Sequence, residues 1–463
     1  MHAASPVTHA RLFAIAVPTM VANLTTPLLG IVGTAVIGRL GQAHLIGAVA
    51  ISALVFDLIF WVFGFLRMGT VALTAQALGA GDAAEQRAVL IRALVVAAAI
   101  GVALLVLQLP LALMIYAAMG GSDAVTEAAK AYFFVRIWSA PFALGSYVVL
   151  GWLIGIARTG IALALQIAVN VLNMAATALL VLVLDLGVVG AALGAVIAET
   201  IGFAAGLVAV RQLGGAFMAP AVFDRARLER LFAINRDIMI RTAALIAAFF
   251  FFTAQGARAG DTLLAANAVL HNFTLIGSFF LDGFATAAEQ LCGHSVGAHD
   301  RVAFERAVRF VIAWGLAFGT ATTALFIAAG APLIDLMTTS PEVRAASRQF
   351  LMFAAFAPIA GVLAYAYDGI YIGATWTRDM RNLMLAALAV YFATWWALRP
   401  WGNDGLWLAL LAFLLARGAL QAARYRRLVA KTFVNRGAGV AARTASPSLP
   451  TRGPYPSGNK IDS

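Results

Sequence analysis

With a single cysteine, Cys292, the chain can close no internal disulfide and build no cysteine-cluster metal site. Charge is scarce too: 11% of the 463 residues are Asp, Glu, Lys or Arg, against about a quarter in a soluble protein. With 62% hydrophobic residues and a mean hydropathy of +0.90, the chain lacks the polar surface to cover a water-soluble globule. Short segments of alternating hydrophobicity are missing, which excludes an outer-membrane barrel. No GxxxxGK[ST] phosphate loop occurs, so ATP hydrolysis cannot drive anything within this chain, and no cofactor is expected. The one GxSxG string, Gly293 to Gly297, ends the apolar run 262–297 rather than forming a strand-to-helix turn, so it does not mark an intramembrane enzyme.

What is present is a succession of apolar runs, each long enough to cross a bilayer as a helix. About twelve are readable, at 12–37, 45–78, 88–117, 126–157, 160–184, 187–211, 236–257, 262–297, 304–338, 342–374, 379–398 and 404–428. The expected class is an all-α polytopic membrane protein. The run after Arg11 is longer than the core of a signal peptide and is read as the first span. Pro18 and Pro27 lie inside it, as a packing kink or as a hinge.

The stretch from Pro18 to Asp82 recurs about 218 residues later. Arg39 and Gly41 meet Arg258 and Gly260; Gly79, Ala80 and Asp82 meet Gly297, Ala298 and Asp300. Each half holds six spans, an even number, so the second copy enters the membrane in the same orientation as the first. The expectation is two parallel-repeat six-helix bundles related by an axis along the membrane normal, with substrate between them. The boundaries are an N-lobe at 1–211, an inter-lobe loop at 212–235, a C-lobe at 236–430 and a tail at 431–463. The loop segment AVFDRARLERLF, apolar at Val222, Leu228, Leu231 and Phe232, is predicted as an amphipathic helix lying on the membrane surface. The proline-bearing tail after Arg436 has no periodicity and is predicted to be disordered.

The net charge of +11 is a topology signal. If the N-terminus is cytoplasmic, roughly 24 of the 32 basic residues fall in cytoplasmic segments, around Arg225, Arg227 and Arg230, after Arg301, and from Arg424 to Lys431. Both termini are therefore expected inside, with the surplus meeting anionic lipid rather than nucleic acid.

The motifs PLLGIVGTAVIGRLG, FLRMGTVALTAQALGAGD, NRDIMIR, LDGFATAAE and YDGIYIGATWTRDMRN resemble the DinF-like branch of the multidrug and toxic compound extrusion (MATE) transporters, from about Leu12 to Tyr425. The resemblance implies a central cavity between two bundles. It also implies antiport of bulky, often cationic organic compounds against protons or sodium ions. The chain departs from that branch at two positions where acids are usual: Gly33 in the first span, and Thr177 after Asn170 and Asn173 in the fifth. Any coupling carboxylate must lie elsewhere.

An ionisable side chain at membrane depth costs at least about 2.5–3.5 kcal/mol on insertion scales, so each is a functional candidate. Asp57 lies mid-span among aromatics, with Trp61 one turn on; it is either a proton carrier or an Asp hydrogen-bonded to a neighbouring helix. Asp282 and Glu289 are seven residues apart and share one helix face about 10 Å apart. These three acids are the candidate ion-coupling residues, Asp57 leading, with Glu289 expected in a hydrated vestibule. Asp368, between Tyr365 and Tyr371, is a candidate receptor for an organic cation or the centre of a packing hydrogen bond. Asn267 and His271, one turn apart, are candidates for the cavity lining, and Trp61 completes the proposed binding set. Glu199 reads as structural, and Arg67 as paired with another helix or reaching the cytoplasmic interface. Glu289, Cys292 and His294 fit no metal-ligand spacing, so no metal is expected.

The leading expectation is a secondary exporter of small molecules in a bacterial inner membrane, coupled to H+ or Na+ and acting as a monomer. The alternative is a flippase for a lipid-linked precursor. Such proteins tend to line the cavity with basic residues, whereas the deep charges here read as mostly acidic.

Overall fold

The computed structural model describes residues 7–40, 42–119, 122–215 and 224–434. Among these, twelve helices are long and apolar enough to cross a membrane. They are α1 His9–Gly38, α2 His44–Gly79, α3 Ala83–Val106, α4 Asp123–Gly155, α5 Thr159–Val183, α6 Gly187–Gln212, α7 Arg225–Arg258, α8 Asp261–Gly297, α9 Arg301–Met337, α10 Pro341–Gly373, α11 Thr377–Trp401 and α12 Asn403–Phe433. Each falls on one of the apolar runs, although α3 ends at Val106, short of the expected 117, and a separate short helix follows at Gln108–Met119; no strand forms among the described residues. Contacts divide the chain into a compact unit through Ala423 and a second from Arg424 onward.

Several spans are interrupted where the sequence weakens the helix. α2 breaks at Phe63–Gly64, α4 tightens into a 3₁₀ turn at Ile137–Ser139 before Pro141, and α5 widens into a π turn at Leu179–Val183. α1 runs unbroken through Pro18 and Pro27. The surface helix expected from AVFDRARLERLF is not separate. Asp224 caps it, its side chain accepting from Arg227 N at 2.9 Å, and it continues without a break into α7. No Gly or Pro stands between Arg225 and Arg258 to stop it until Gly256. Val222 and the tail from residue 435 lie outside the described residues.

The repeat is visible in backbone detail. Asp82 and Asp300 each cap a helix, accepting from Glu85 N and Ala303 N, both at 2.8 Å. The residue before each cap is left-handed, Gly81 at φ 69° and His299 at φ 56°. The turns after α4 and α10 match likewise, with Ala157 at φ 61° and Thr375 at φ 57°. Within each half, glycines let α4 and α10 lie directly on backbone: a Cβ at Gly151 would stand 2.6 Å from the Arg67 carbonyl oxygen, and one at Gly369 2.2 Å from that of Ala285.

The two halves meet through the same element of each copy. A Cβ on Gly79 of α2 would lie 2.0 Å from the His294 carbonyl oxygen of α8; one on Gly297 of α8 would lie 2.0 Å from that of Gln76 of α2. This reciprocity is the mark of a two-fold relation between the copies. Polar contacts reinforce the closure: Gln76 Nε2 donates to the Gly373 carbonyl at 2.9 Å, and Arg230 Nη2 donates to Gln76 Oε1 at 2.7 Å. The halves are thus closed at the end where the arginines of α7 cluster.

Candidate functional site

The C-terminal half holds a buried ionic cluster. Asp368 of α10, 4% exposed, accepts from Arg241 of α7, from Arg417 Nη2 of α12 at 2.6 Å and from Gln421 Nε2 at 2.8 Å. Its charge is therefore already matched, by two guanidinium groups. Arg417 also lies over the rings of Tyr365 and Phe413, at 5.7 and 5.4 Å. Tyr365 shares a 2.6 Å hydrogen bond with Ser278 of α8. Tyr371 is fully buried and donates to the Gln421 carbonyl at 2.7 Å, a packing bond rather than a free surface.

Asp282 and Glu289 stand differently. Both lie on α8, and neither forms an ion pair or hydrogen bond with another described residue. Glu289 is only 2% exposed, and its Oε2 is buried without a hydrogen-bond partner, as is the whole side-chain amide of the neighbouring Gln290. The hydrated vestibule expected around Glu289 does not exist in this closed arrangement, because α2 and α10 pack over that stretch of α8. In the other half, α2 packs against this part of α8 and carries the half-buried Arg67.

The N-terminal half has its own group. Arg136 of α4 pairs with Glu199 of α6 at 3.7 Å and lies 5.6 Å from the ring centroids of Phe56 and Phe60. Asp57 is exposed and feels the Arg136 charge without bonding to it; Trp61 is 43% exposed. Glu199 and Arg417 occupy equivalent positions of the repeat, so each half carries a buried ion pair of opposite polarity. At the positions where acids are absent, Asn170 Nδ2 donates to Thr25 Oγ1 at 2.7 Å and Thr177 Oγ1 donates to Asn173 Oδ1 at 3.2 Å.

The sequence-predicted residues therefore divide. Asp282, Glu289, Asp368 and Tyr365 come together in the C-half with Arg67 opposite, while Asp57 and Trp61 belong to the N-half group. Asn267 is consumed by packing: it exchanges hydrogen bonds with Asn403 at 2.8 and 3.0 Å and accepts from Trp407 Nε1 at 2.9 Å. His271 packs on Phe249 at 5.4 Å, its Nδ1 buried and unpartnered. Sequence reasoning passed over Arg136, Arg241, Arg417 and Gln421. The signal was there, since each arginine interrupts an apolar run, in FFVRIW, IMIRTAA and LLARGAL. The deep charges are not acidic alone: among the described residues Arg92, Arg136, Arg241 and Arg417 are buried, as are Asp237, Glu289 and Asp368.

The chain and its fold have known counterparts. The MatE family model matches residues 18–179 and 238–394. The chain is 36% identical over 423 residues to the DNA damage-inducible protein F of Escherichia coli, covering 90% of this chain and 92% of that protein. It is 29% identical over 374 residues to a probable multidrug resistance protein NorM of Caulobacter vibrioides, covering 77% and 78%. A crystal structure of a MATE transporter in the bent conformation superposes with a TM-score of 0.84 over 92% of this chain and 96% of that one, at 17% identity. Two six-helix repeats, their reciprocal glycine contact and matches across both halves lead to one conclusion: the chain belongs to the MATE family, in its DinF-like branch, and is a multi-pass efflux transporter of small molecules in a bacterial inner membrane.

Proposed function

We propose that this transporter is a secondary active antiporter that exports bulky organic compounds, cationic or neutral, in exchange for protons or sodium ions by alternating access. It works as a monomer with both termini cytoplasmic. The observation that carries this reading is the pair Asp282 and Glu289, two acids on one face of α8 that no described residue bonds, with Glu289 Oε2 buried and unpartnered. Uphill export requires a group whose charge differs between the two faces of the cycle, and a ligand shifts such an equilibrium only through its differential affinity for the two states.

With the arginine-rich end closed, Arg67 attracts both carboxylates across the boundary between the halves. A cation arriving from the opposite side competes with Arg67 for them. Once the acids are neutralised that attraction falls, the closed end is free to open, and the cation leaves to the cytoplasm as cargo enters. The membrane potential supplies about 2.3 kcal/mol per elementary charge per 100 mV, enough to hold about a fifty-fold gradient of a neutral solute per proton.

Proteoliposomes with an imposed pH or sodium gradient and a panel of dyes and drugs test this. Glu289→Gln with Asp282→Asn should keep cargo binding and abolish gradient-driven export. Normal uphill pumping by that double variant would refute the assignment, and Asp57→Asn, measured in parallel, would then locate coupling in the N-half. Arg241 and Arg417 support a second reading, a flippase whose lipid-linked cargo presents phosphate to them. Asp368 already engages both, which leaves antiport the better supported of the two.

A further inference from the structure

We propose that a groove between α3 and α7 binds one anionic phospholipid, its acyl chain in the groove and its phosphate on Arg236. The groove has a volume of about 460 Å³ and is lined from α3 by Val95, Ile100 and Ala103 and from α7 by Phe232, Arg236 and Met239. That volume lies within the range of small-ligand sites, about 300–1,000 Å³. The α3 wall runs from Val95 to Ala103, about 12 Å of helix rise, a length that takes part of an acyl chain lying along the helix.

Charge complementarity selects the headgroup. Arg236 stands where the charged run RARLERLFAINRD of α7 gives way to the apolar run that follows. Its side chain is 61% exposed, and its one ionic contact among the described residues, to Asp237, is loose at 3.4 Å. Asp237 is held more tightly by Arg381 at 2.6 Å. Glu85, at the start of α3, is engaged by Arg92 at 2.7 Å and by Arg227. These carboxylates are thus bonded by other arginines, which leaves Arg236 loosely paired beside an apolar slot. Basic pockets between membrane helices are the usual seats of anionic headgroups. Because α3 belongs to the first half and α7 to the second, a lipid here bridges the halves in the closed arrangement.

The test uses the purified full-length transporter in mixed micelles, with bound lipid counted by native mass spectrometry. Phosphatidylglycerol should be retained at one copy per chain, about five-fold more strongly than phosphatidylcholine of the same chains, the value of one arginine contact at a membrane surface. Arg236→Gln should erase that preference, and inorganic phosphate should not displace the lipid, because the chain holds it. Ala99→Trp, at an exposed position lining the groove, should remove the retained lipid altogether. Equal retention of both lipids by the unaltered protein, an undiminished preference in Arg236→Gln, or a retained copy in Ala99→Trp would each overturn the proposal.

Discussion

Asp368 shows how a buried charge can be structural. Three donors converge on one carboxylate that solvent barely reaches. Removing the negative charge leaves Arg241 and Arg417 facing each other, and breaking a buried pair costs about 3–5 kcal/mol. Asp368→Asn should therefore lower thermal stability in detergent and reduce export of cationic and neutral cargo alike. Arg417→Met added to it should recover part of the stability. A variant of unchanged stability that lost only cationic cargo would instead make Asp368 a cargo receptor. The uncommitted acids behave oppositely: Glu289→Gln removes a charge that no described residue bonds, so stability should hold or rise while gradient-driven export fails. The sequence marked all of these acids, because an acid in an apolar run is conspicuous. It could not tell matched from unmatched charges, since Arg241 is 127 residues from Asp368 and Arg417 is 49.

At the scale of elements, the repeat does more than duplicate spans. Gly79 and Gly297 face each other's helices at backbone contact, and neither position has room for a Cβ. Gly79→Val should hold the arginine-rich end apart. A Thr375→Cys probe, beside Gln76 and Arg230 in the closed arrangement, should then react faster with a water-soluble maleimide than it does on the glycine background. Unchanged reactivity would mean that this contact does not govern closure. Gly297→Val, its counterpart in the second copy, should act the same way, because the contact is reciprocal. The continuity of α7 belongs at this scale too. Amphipathic periodicity distinguished the segment from Arg225 to Phe232 from the span that follows, but periodicity measures which face is apolar, not whether the helix stops. Only a Gly, a Pro or an unsatisfied cap ends it, and none intervenes.

For the whole molecule, twelve membrane-length helices, an even number, predict that both ends of the described chain lie on one side of the membrane. The arginine distribution predicts that this side is the cytoplasm. Reporter fusions at each end should be active only on the cytoplasmic face; activity outside would reverse the orientation. Truncation after Arg436 should leave export intact, since the sequence beyond it has too little apolar surface to pack. Loss of folding on truncation would show that the tail docks.

The sequence by itself determined the class, the number of spans, the two-fold repeat and the limits of most spans, but not the end of α3 at Val106 or the start of α7 at Arg225. The bilayer imposes those features locally: each span must be apolar for about 20 residues, and each turn must satisfy its own backbone. The left-handed residues at Gly81 and His299 and the capping acids Asp82 and Asp300 are likewise encoded within a few residues of where they act. Tertiary structure alone decided which charges are free. Whether Asp282, Glu289 or Asp368 retains an unmatched charge depends on which arginine, from a helix far along the chain, reaches it first. That is a matter of packing across the bundle, which the periodicity of a single helix does not record.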